Sequence, residues 1–230
     1  EPPSLDDPPP LVEPVETSPA PGEMLTPVSR AVVIAPVLAS AFLLRSLITA
    51  LPPAMSSIRG ELGLDEAVAG LTVGLPVVCF GVFAFVAPVL LRRFGAITSM
   101  SISLVVLTAG ALLRPLGSAT WLLIGTTGVG VGIAIGNVLV PVMIRRARPD
   151  EVPRYMGYYT VILSLGATVG SLLTGPLLAT GASWQGILFG WGVVAAALSA
   201  GWFIAVRGEV ATTAAQPHAP LRDAARLPRT

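Results

Sequence analysis

The chain of 230 residues is poor in charge and in reactive side chains. It has one cysteine, Cys79, one histidine, His218, and no lysine, and only 12% of its residues are charged. A single cysteine excludes an intrachain disulfide, and the pair falls short of the roughly three or four converging ligands of a metal site. We therefore expect no metal and no other cofactor. Soluble domains carry about 25% charged residues, so half of the usual solvating surface is missing.

Apolar residues make up 53% of the chain, and its mean hydropathy is +0.78. Six apolar runs each reach at least about 20 residues, enough to cross a hydrocarbon core of about 30 Å. Backbone groups in lipid must be satisfied within their own segment, so each run is helical. The sequence predicts an all-α membrane domain over residues 30–207 with six transmembrane helices at 31–54, 67–91, 96–117, 119–143, 156–180 and 184–206.

The two ends of the chain differ in composition from this domain. Residues 1–29 hold nine prolines and six acidic residues, a composition typical of a disordered tail. Residues 208–230 are polar and predict a second tail or the start of a central loop. We expect both ends to be cytoplasmic.

That orientation follows from the arginines. Cytoplasmic loops of membrane proteins carry an excess of basic residues. With the N-terminus inside, eight arginines fall on the cytoplasmic side and only Arg59 and Arg114 lie toward the outside. The N-in, C-in arrangement in the cell membrane (the inner or plasma membrane) is therefore predicted. The eight are Arg30, Arg92, Arg93, Arg145, Arg146, Arg148, Arg154 and Arg207.

Arg45 is the basic residue placed deepest in a predicted span. Counting from the centre of 31–54, it lies about 4 Å from the membrane midplane, too deep for its side chain to reach the interface easily. A charge at this depth normally faces a bundle interior or a wet cavity. No predicted span contains Asp or Glu, so the pattern favours an anionic solute, while pairing with helix carbonyls or with a residue of another half stays open.

Two further polar residues of the predicted spans, Asn137 and Arg114, are candidate functional residues. Asn137 lies inside the fourth span, where it predicts either a contact with a solute or an interhelical hydrogen bond. Arg114 ends the third span and is expected to extend toward the outer interface as an anchor.

Glycines at four-residue spacing predict close helix packing in the last three spans. Such smooth faces also allow helices to shift against one another. The rows are Gly128, Gly132 and Gly136 in the fourth span, Gly166 and Gly170 in the fifth, and Gly186 and Gly190 in the sixth.

The predicted turn after the second span reads PVLLRRFG, residues 88–95. It resembles the signature loop of the major facilitator superfamily, with Arg93 and Gly95 at matching positions and Pro88 and Arg92 in place of the usual Gly and Asp. The resemblance assigns Arg92, Arg93 and Gly95 to a gating loop, although the missing Asp weakens that role and a basic membrane anchor explains both arginines equally well.

A longer series resembles the cyanate and 2-nitroimidazole transporter family within that superfamily, over about residues 30–207. Its members have about twelve spans, so the resemblance covers an N-terminal half. The matching segments, in order, are LLRSLITALPPAMSSIRGELGL (43–64), AGLTVGLPVVCFG (69–81), LLRRFG (90–95), GALLR (110–114), GVGVGIAIGNVLVPVMIRR (128–146) and MGYYTVILSLGATVGSLLTGPL (156–177).

The resemblance implies secondary transport of a small, cyanate-like anion by alternating access. In the superfamily the first and fourth spans line the cavity, which makes Arg45 and Asn137 candidate solute contacts; the family match adds Arg114. The implied partners are the solute, membrane lipid, and a second six-helix half or a second copy of this chain, and no nucleic acid.

Two other functions stay open. A proton-coupled drug exporter normally carries a carboxylate within the membrane, and a receptor or scaffold needs no charge facing a cavity. An enzyme is not expected, because the sequence shows no catalytic triad, and the glycines at 128–132 follow no strand and so form no dinucleotide loop.

Overall fold

The computed structural model describes residues 27–215, and side chains within 34–207. The predicted tails at 1–29 and 208–230 fall almost entirely outside the described residues. The helices are α1 Pro27–Thr49, α2 Leu51–Leu62, α3 Glu66–Phe83, α4 Val86–Leu113, α5 Ala119–Ala147, α6 Val152–Ala179 and α7 Trp184–Ala215, with a short 3₁₀ helix, Pro149–Glu151, before α6.

Six helical segments among the described residues are long and apolar enough to cross a membrane. The first segment combines most of α1 with α2, and the other five correspond to α3 through α7. The prediction of an all-helical protein with six membrane spans is confirmed. The N-in, C-in orientation stays a prediction.

The first span is longer than expected. The spans predicted at 31–54 and 67–91 leave the residues between them as an outer loop, and this is wrong for most of that segment, since α2 continues to Leu62. Pro52 and Pro53 fit the first turn of α2, where a missing N–H does no harm. The helix ends at Gly63, whose φ of 63° is a left-handed conformation that glycine adopts without strain.

The boundary between the second and third spans also differs. The run predicted as one helix over 67–91 breaks at Ala84 and Phe85. Pro88 has no N–H for the carbonyl of Ala84, which weakens the helix at this point. The predicted turn at 88–95 is wrong except for its last residue, because the chain is helical through 94 and leaves that conformation at Gly95, with φ 77° and ψ 170°.

The narrow boundary between the third and fourth spans lies where it was predicted. Helix α4 ends at Leu113 and α5 begins at Ala119. The Ser118 side chain accepts a hydrogen bond from the backbone N–H of Trp121 at 3.3 Å and caps α5.

Helix α5 is the centre of the bundle. Of its most apolar window, 61% is buried, whereas α6 buries only 17%. Helix α5 packs against α4, α3 and α1, and α6 packs mainly against α1. One large side of α6 is consequently exposed, next to the first span.

Candidate functional site

Arg45 is an exposed residue in an otherwise buried stretch of α1. Its neighbours Leu43, Leu44, Ser46 and Leu47 are all at most 2% exposed, while Arg45 itself opens to the surface. The first span runs from Ile34 to Leu62, so Arg45 lies three residues from its centre, about 4–5 Å along the axis. The side chain is thus at mid-membrane depth and accessible from one side of the bundle.

Two polar groups lie on helices that pack against α1. The hydroxyl of Tyr159 in α6 donates a hydrogen bond to Oδ1 of Asn137 in α5 at 3.4 Å. Helix α1, which carries Arg45, packs against both of these helices. Arg45, Asn137 and Tyr159 therefore lie on three adjacent helices, and Tyr159 and Asn137 are joined directly. We call these three residues the polar triad.

The charge of Arg45 meets no carboxylate at this depth. All acidic residues between 34 and 207 lie at helix ends or in loops, and none lies in the middle of a described span. They are Glu61, Asp65, Glu66, Asp150 and Glu151. A guanidinium exposed at mid-membrane without an acidic neighbour is suited to binding an anion or a hydrogen-bond acceptor.

Helix α6 adds a row of exposed hydroxyls that the sequence reasoning missed. Thr160, Ser164, Thr168 and Ser171 recur at helical spacing and are all exposed. The first three hydroxyls donate to the carbonyl four residues earlier, each at 3.0 Å. The spacing itself is the signal that could have revealed the row. At 100° per residue, the hydroxyl row lies about 100–180° around α6 from Tyr159, on the side away from the contact with α1.

Tyr159 was also missed. It is one of three tyrosines in the short stretch 155–159, and only its position next to α1 distinguishes it. It is 8% exposed, whereas Tyr158 is 44% exposed. Nothing in the local sequence separates the two side chains.

Glycines bring the helices of the polar triad together. A Cβ at Gly166 would lie 2.5 Å from the carbonyl oxygen of Phe42 in α1. A Cβ at Gly170 would overlap Thr49 Oγ1 and lie 2.6 Å from the Ser46 carbonyl oxygen. Only glycine permits this approach of α6 to α1.

The glycines of α5 also allow close approach, to α4 on one side and to α1 on another. A Cβ at Gly132 would lie 2.6 Å from Leu107 Cβ in α4, one at Gly128 would lie 3.2 Å from Gly110 Cα, and one at Gly136 would lie 2.8 Å from Leu44 Cδ2 in α1.

The packing predicted for the sixth span is wrong at both positions. A Cβ at Gly190 would meet nothing within 4 Å, and one at Gly186 would meet only the Ser183 hydroxyl. The residue that packs closely in α7 is Gly192, where a Cβ would lie 2.8 Å from Leu112 Cδ2. The four-residue spacing indicates which glycines share a face but not whether another helix covers it.

Arg114 does not extend outward. The expectation of an outer anchor is wrong, because the side chain is 1% exposed and its Nη1 donates to the Leu47 carbonyl oxygen at 2.7 Å. Gly110 and Gly125 allow α4 and α5 to approach so closely that the guanidinium is enclosed. In this conformation a solute on the exposed side of α1 does not reach it.

The predicted gating residues lie at the far end of the bundle from Arg114. Arg92 and Arg93 are exposed at the end of the first part of α4, and the Arg93 guanidinium lies 5.4 Å from the centre of the Phe94 ring. Their role in gating stays a prediction. No group of three or more His, Cys, Asp or Glu side chains in the described part of the chain could hold a metal ion.

Comparison with known families agrees with this architecture. The model of the Major Facilitator Superfamily matches residues 37–229, most of the chain. The chain belongs to this superfamily. The predicted resemblance is confirmed.

Three similar proteins are bacterial transporters. The 2-nitroimidazole transporter of Escherichia coli K12 is 38% identical over 160 residues, covering 70% of this chain and 41% of that protein. The cyanate transport protein CynX of the same organism is 32% identical over 180 residues, covering 78% and 47%. The uncharacterized transporter YycB of Bacillus subtilis 168 is 36% identical over 156 residues, covering 67% and 39%. The chain spans less than half the length of these relatives.

Proposed function

We propose that this chain is one six-helix half of a secondary transporter of the cell membrane, and that Arg45 binds a small anionic solute. The observation that carries the proposal is the exposed guanidinium at mid-membrane depth, without a carboxylate at its depth and on a helix that packs against those of Tyr159 and Asn137. A charged side chain that faced lipid at this depth would destabilise the protein. In a water-filled cavity the charge stays hydrated and can bind a solute.

The hydroxyl row of α6 supports the same arrangement. An exposed arginine on α1 is unsuited to contact with lipid tails, and the exposed hydroxyls on the neighbouring helix add polarity to this side of the bundle. They suit a surface that faces water and a second helical half. Because the relatives are more than twice as long as the matched region, we infer that such a half, either a continuation of the chain or a second copy, faces this surface.

The chemistry of the relatives' solutes fits this surface. Cyanate is an anion, and 2-nitroimidazole has nitro oxygens that accept hydrogen bonds. An arginine offers five N–H donors in a fork and keeps its charge. The amide of Asn137 and the hydroxyl of Tyr159 can each donate or accept a hydrogen bond, which suits a small polar solute.

Binding of labelled cyanate and labelled 2-nitroimidazole to the chain in lipid nanodiscs tests the proposal. We expect Arg45→Gln to weaken binding at least about tenfold, because a hydrogen bond to a charged group is worth about 1.5–3 kcal/mol. Arg45→Lys should retain part of the affinity. Arg154→Gln is the matched control, since Arg154 is an exposed arginine paired with Glu151 at 3.1 Å at the end of α6. Equal binding by Arg45→Gln and Arg154→Gln would contradict the proposal.

Competition separates this function from drug export. A site built on a guanidinium repels cations, so an excess of the cationic drug probe rhodamine 6G should leave cyanate binding unchanged. Nitrate and thiocyanate should compete because they share the charge and small size of cyanate. Displacement by rhodamine 6G, with no effect of the anions, would favour an exporter instead.

A further inference from the structure

Arg114 connects two parts of the bundle that are distant in sequence. It follows the last residue of α4, and its backbone N–H donates to the Gly110 carbonyl at 3.2 Å. Its side chain crosses to α1 and donates to the Leu47 carbonyl oxygen at 2.7 Å. The acceptor belongs to the last turn of α1, which ends at Thr49.

Backbone donors are scarce at this end of α1. Pro52 and Pro53 lie in the first turn of α2 and have no N–H for the carbonyls of Ile48 and Thr49, which follow Leu47. The last carbonyls of a helix carry partial negative charge, and a cation placed near them is stabilising. Arg114 therefore acts as a C-terminal cap on α1, supplied by a different span.

Arg45 belongs to the same turn. It precedes Leu47 by two residues, and its carbonyl oxygen accepts a hydrogen bond from the Thr49 hydroxyl at 3.1 Å. Arg45 and Leu47 therefore lie within one helical turn at the end of α1.

Arg114 is itself fixed by α5. A Cβ at Gly125 would lie 2.8 Å from the backbone nitrogen of Arg114 and 3.0 Å from its Cγ. Within the described part of the chain, Nε and Nη2 of Arg114 have no hydrogen-bond partner. One charged hydrogen bond to Leu47 thus carries the connection to α1.

We propose that Arg114 is a positioning residue for Arg45. It holds the break between α1 and α2 against the α4–α5 turn, and this contact sets the direction in which Arg45 enters the solute-binding surface. The effect on solute rests on the function proposed above, whereas the contact itself does not.

Hydrogen–deuterium exchange of the chain in nanodiscs tests the contact without any solute. Arg114→Met keeps an unbranched side chain at this buried position and removes both the charge and the donor. We expect exchange to rise at least about fivefold in amides of residues 46–58, and Arg114→Lys, which keeps a charged donor, to restore most of the protection. Exchange at 129–144 of α5 should stay unchanged. Arg154→Met is the control and should change neither segment.

A second variant reaches the same contact from α5. Gly125→Ala keeps the arginine but displaces it, so it should raise exchange at 46–58 in the same pattern. The positioning role is overturned if Arg114→Met leaves residues 46–58 unchanged, or if it raises exchange equally throughout α5, which would indicate general loss of folding.

Cyanate binding then tests the link to Arg45. Arg114→Met should weaken binding about fivefold to tenfold, and Arg114→Lys less than about threefold. If residues 46–58 loosen but cyanate affinity stays at the wild-type value, the orientation of Arg45 does not depend on Arg114 and the proposal fails. If the wild-type chain binds no cyanate, the proposed solute function fails, and the exchange experiment alone decides whether the contact exists.

Discussion

The α4–α5 contact and the α1–α6 contact are both built on glycine, but their surroundings differ. The first is closed on all sides: the Ser103 hydroxyl donates to the Gly132 carbonyl at 2.7 Å, and Ser103, Leu104 and Leu107 are fully buried. The second brings Gly166 against Phe42 and leaves the polar triad at its edge. Close packing stabilises the bundle in one place, and in the other it positions a charge at an open surface.

A glycine face alone therefore does not indicate function. What distinguishes the two contacts is the polarity of the residues one helix turn away. If this distinction is right, substitutions in the α4–α5 contact should mainly change stability, and substitutions near the α1–α6 contact should mainly change solute binding.

Gly132→Ala should lower the free energy of unfolding by about 1–3 kcal/mol, because the new methyl overlaps Leu107 and the Ser103 carbonyl in a tight interface. Thermal unfolding in detergent micelles measures this. Gly74→Ala in α3 is the matched control, since a Cβ there would meet nothing within 4 Å, and it should be neutral or slightly stabilising. Equal losses for both variants would show that the α4–α5 contact is not tight.

Gly166→Ala should affect stability less than Gly132→Ala but should weaken cyanate binding about tenfold. The methyl would push α6 away from the Phe42 carbonyl of α1, and so disturb the side of α1 that carries Arg45. Gly157→Ala, on the same helix in open space, should leave both quantities unchanged. A variant that loses stability and keeps its affinity would break the distinction between the two contacts.

Arg45→Gln should change the free energy of unfolding by less than about 0.5 kcal/mol, as is usual for exposed positions. The same variant is expected to lose cyanate binding, so function and stability should separate completely here. The unfolding midpoint in detergent, compared with wild type, checks this. A large loss of stability would show that Arg45 supports the bundle and does not serve a solute.

Tyr159→Phe should produce the smallest loss of affinity, about twofold to fivefold for cyanate. It removes one neutral hydrogen bond, that to Asn137, worth about 0.5–1 kcal/mol. Equilibrium binding to nanodiscs is the measurement. Tyr158→Phe, which lies nearby but contacts Arg154 at 3.0 Å, is the control and should bind as wild type does.

Much of the fold could be predicted because lipid restricts the choices. Span number and approximate limits follow from apolar length, and the Arg45 position follows from counting along a helix. The first span was predicted too short because polar residues follow Pro53, whereas α2 stays helical to Leu62. The second was predicted too long because the run stays apolar through Pro88, which has no N–H for the Ala84 carbonyl at the point where the helix is interrupted.

The candidate site could be predicted only in part. Arg45 and Asn137 stand out as polar residues in apolar runs. Tyr159 does not stand out, because it is one of several tyrosines near a helix end. Arg114 was placed correctly along its helix and wrongly in space, since its direction depends on Gly110 and Gly125, which lie on two different helices.

The sequence by itself determined that this protein has six membrane-spanning helices and one arginine at mid-membrane depth without a carboxylate. These are properties of single segments, and the membrane acts on each segment separately. Only the tertiary structure decided which glycine faces are covered, that Tyr159 joins Asn137, and that Arg114 turns inward to the end of α1. Each of these depends on how closely two helices approach, and that distance is set jointly by residues far apart in the chain.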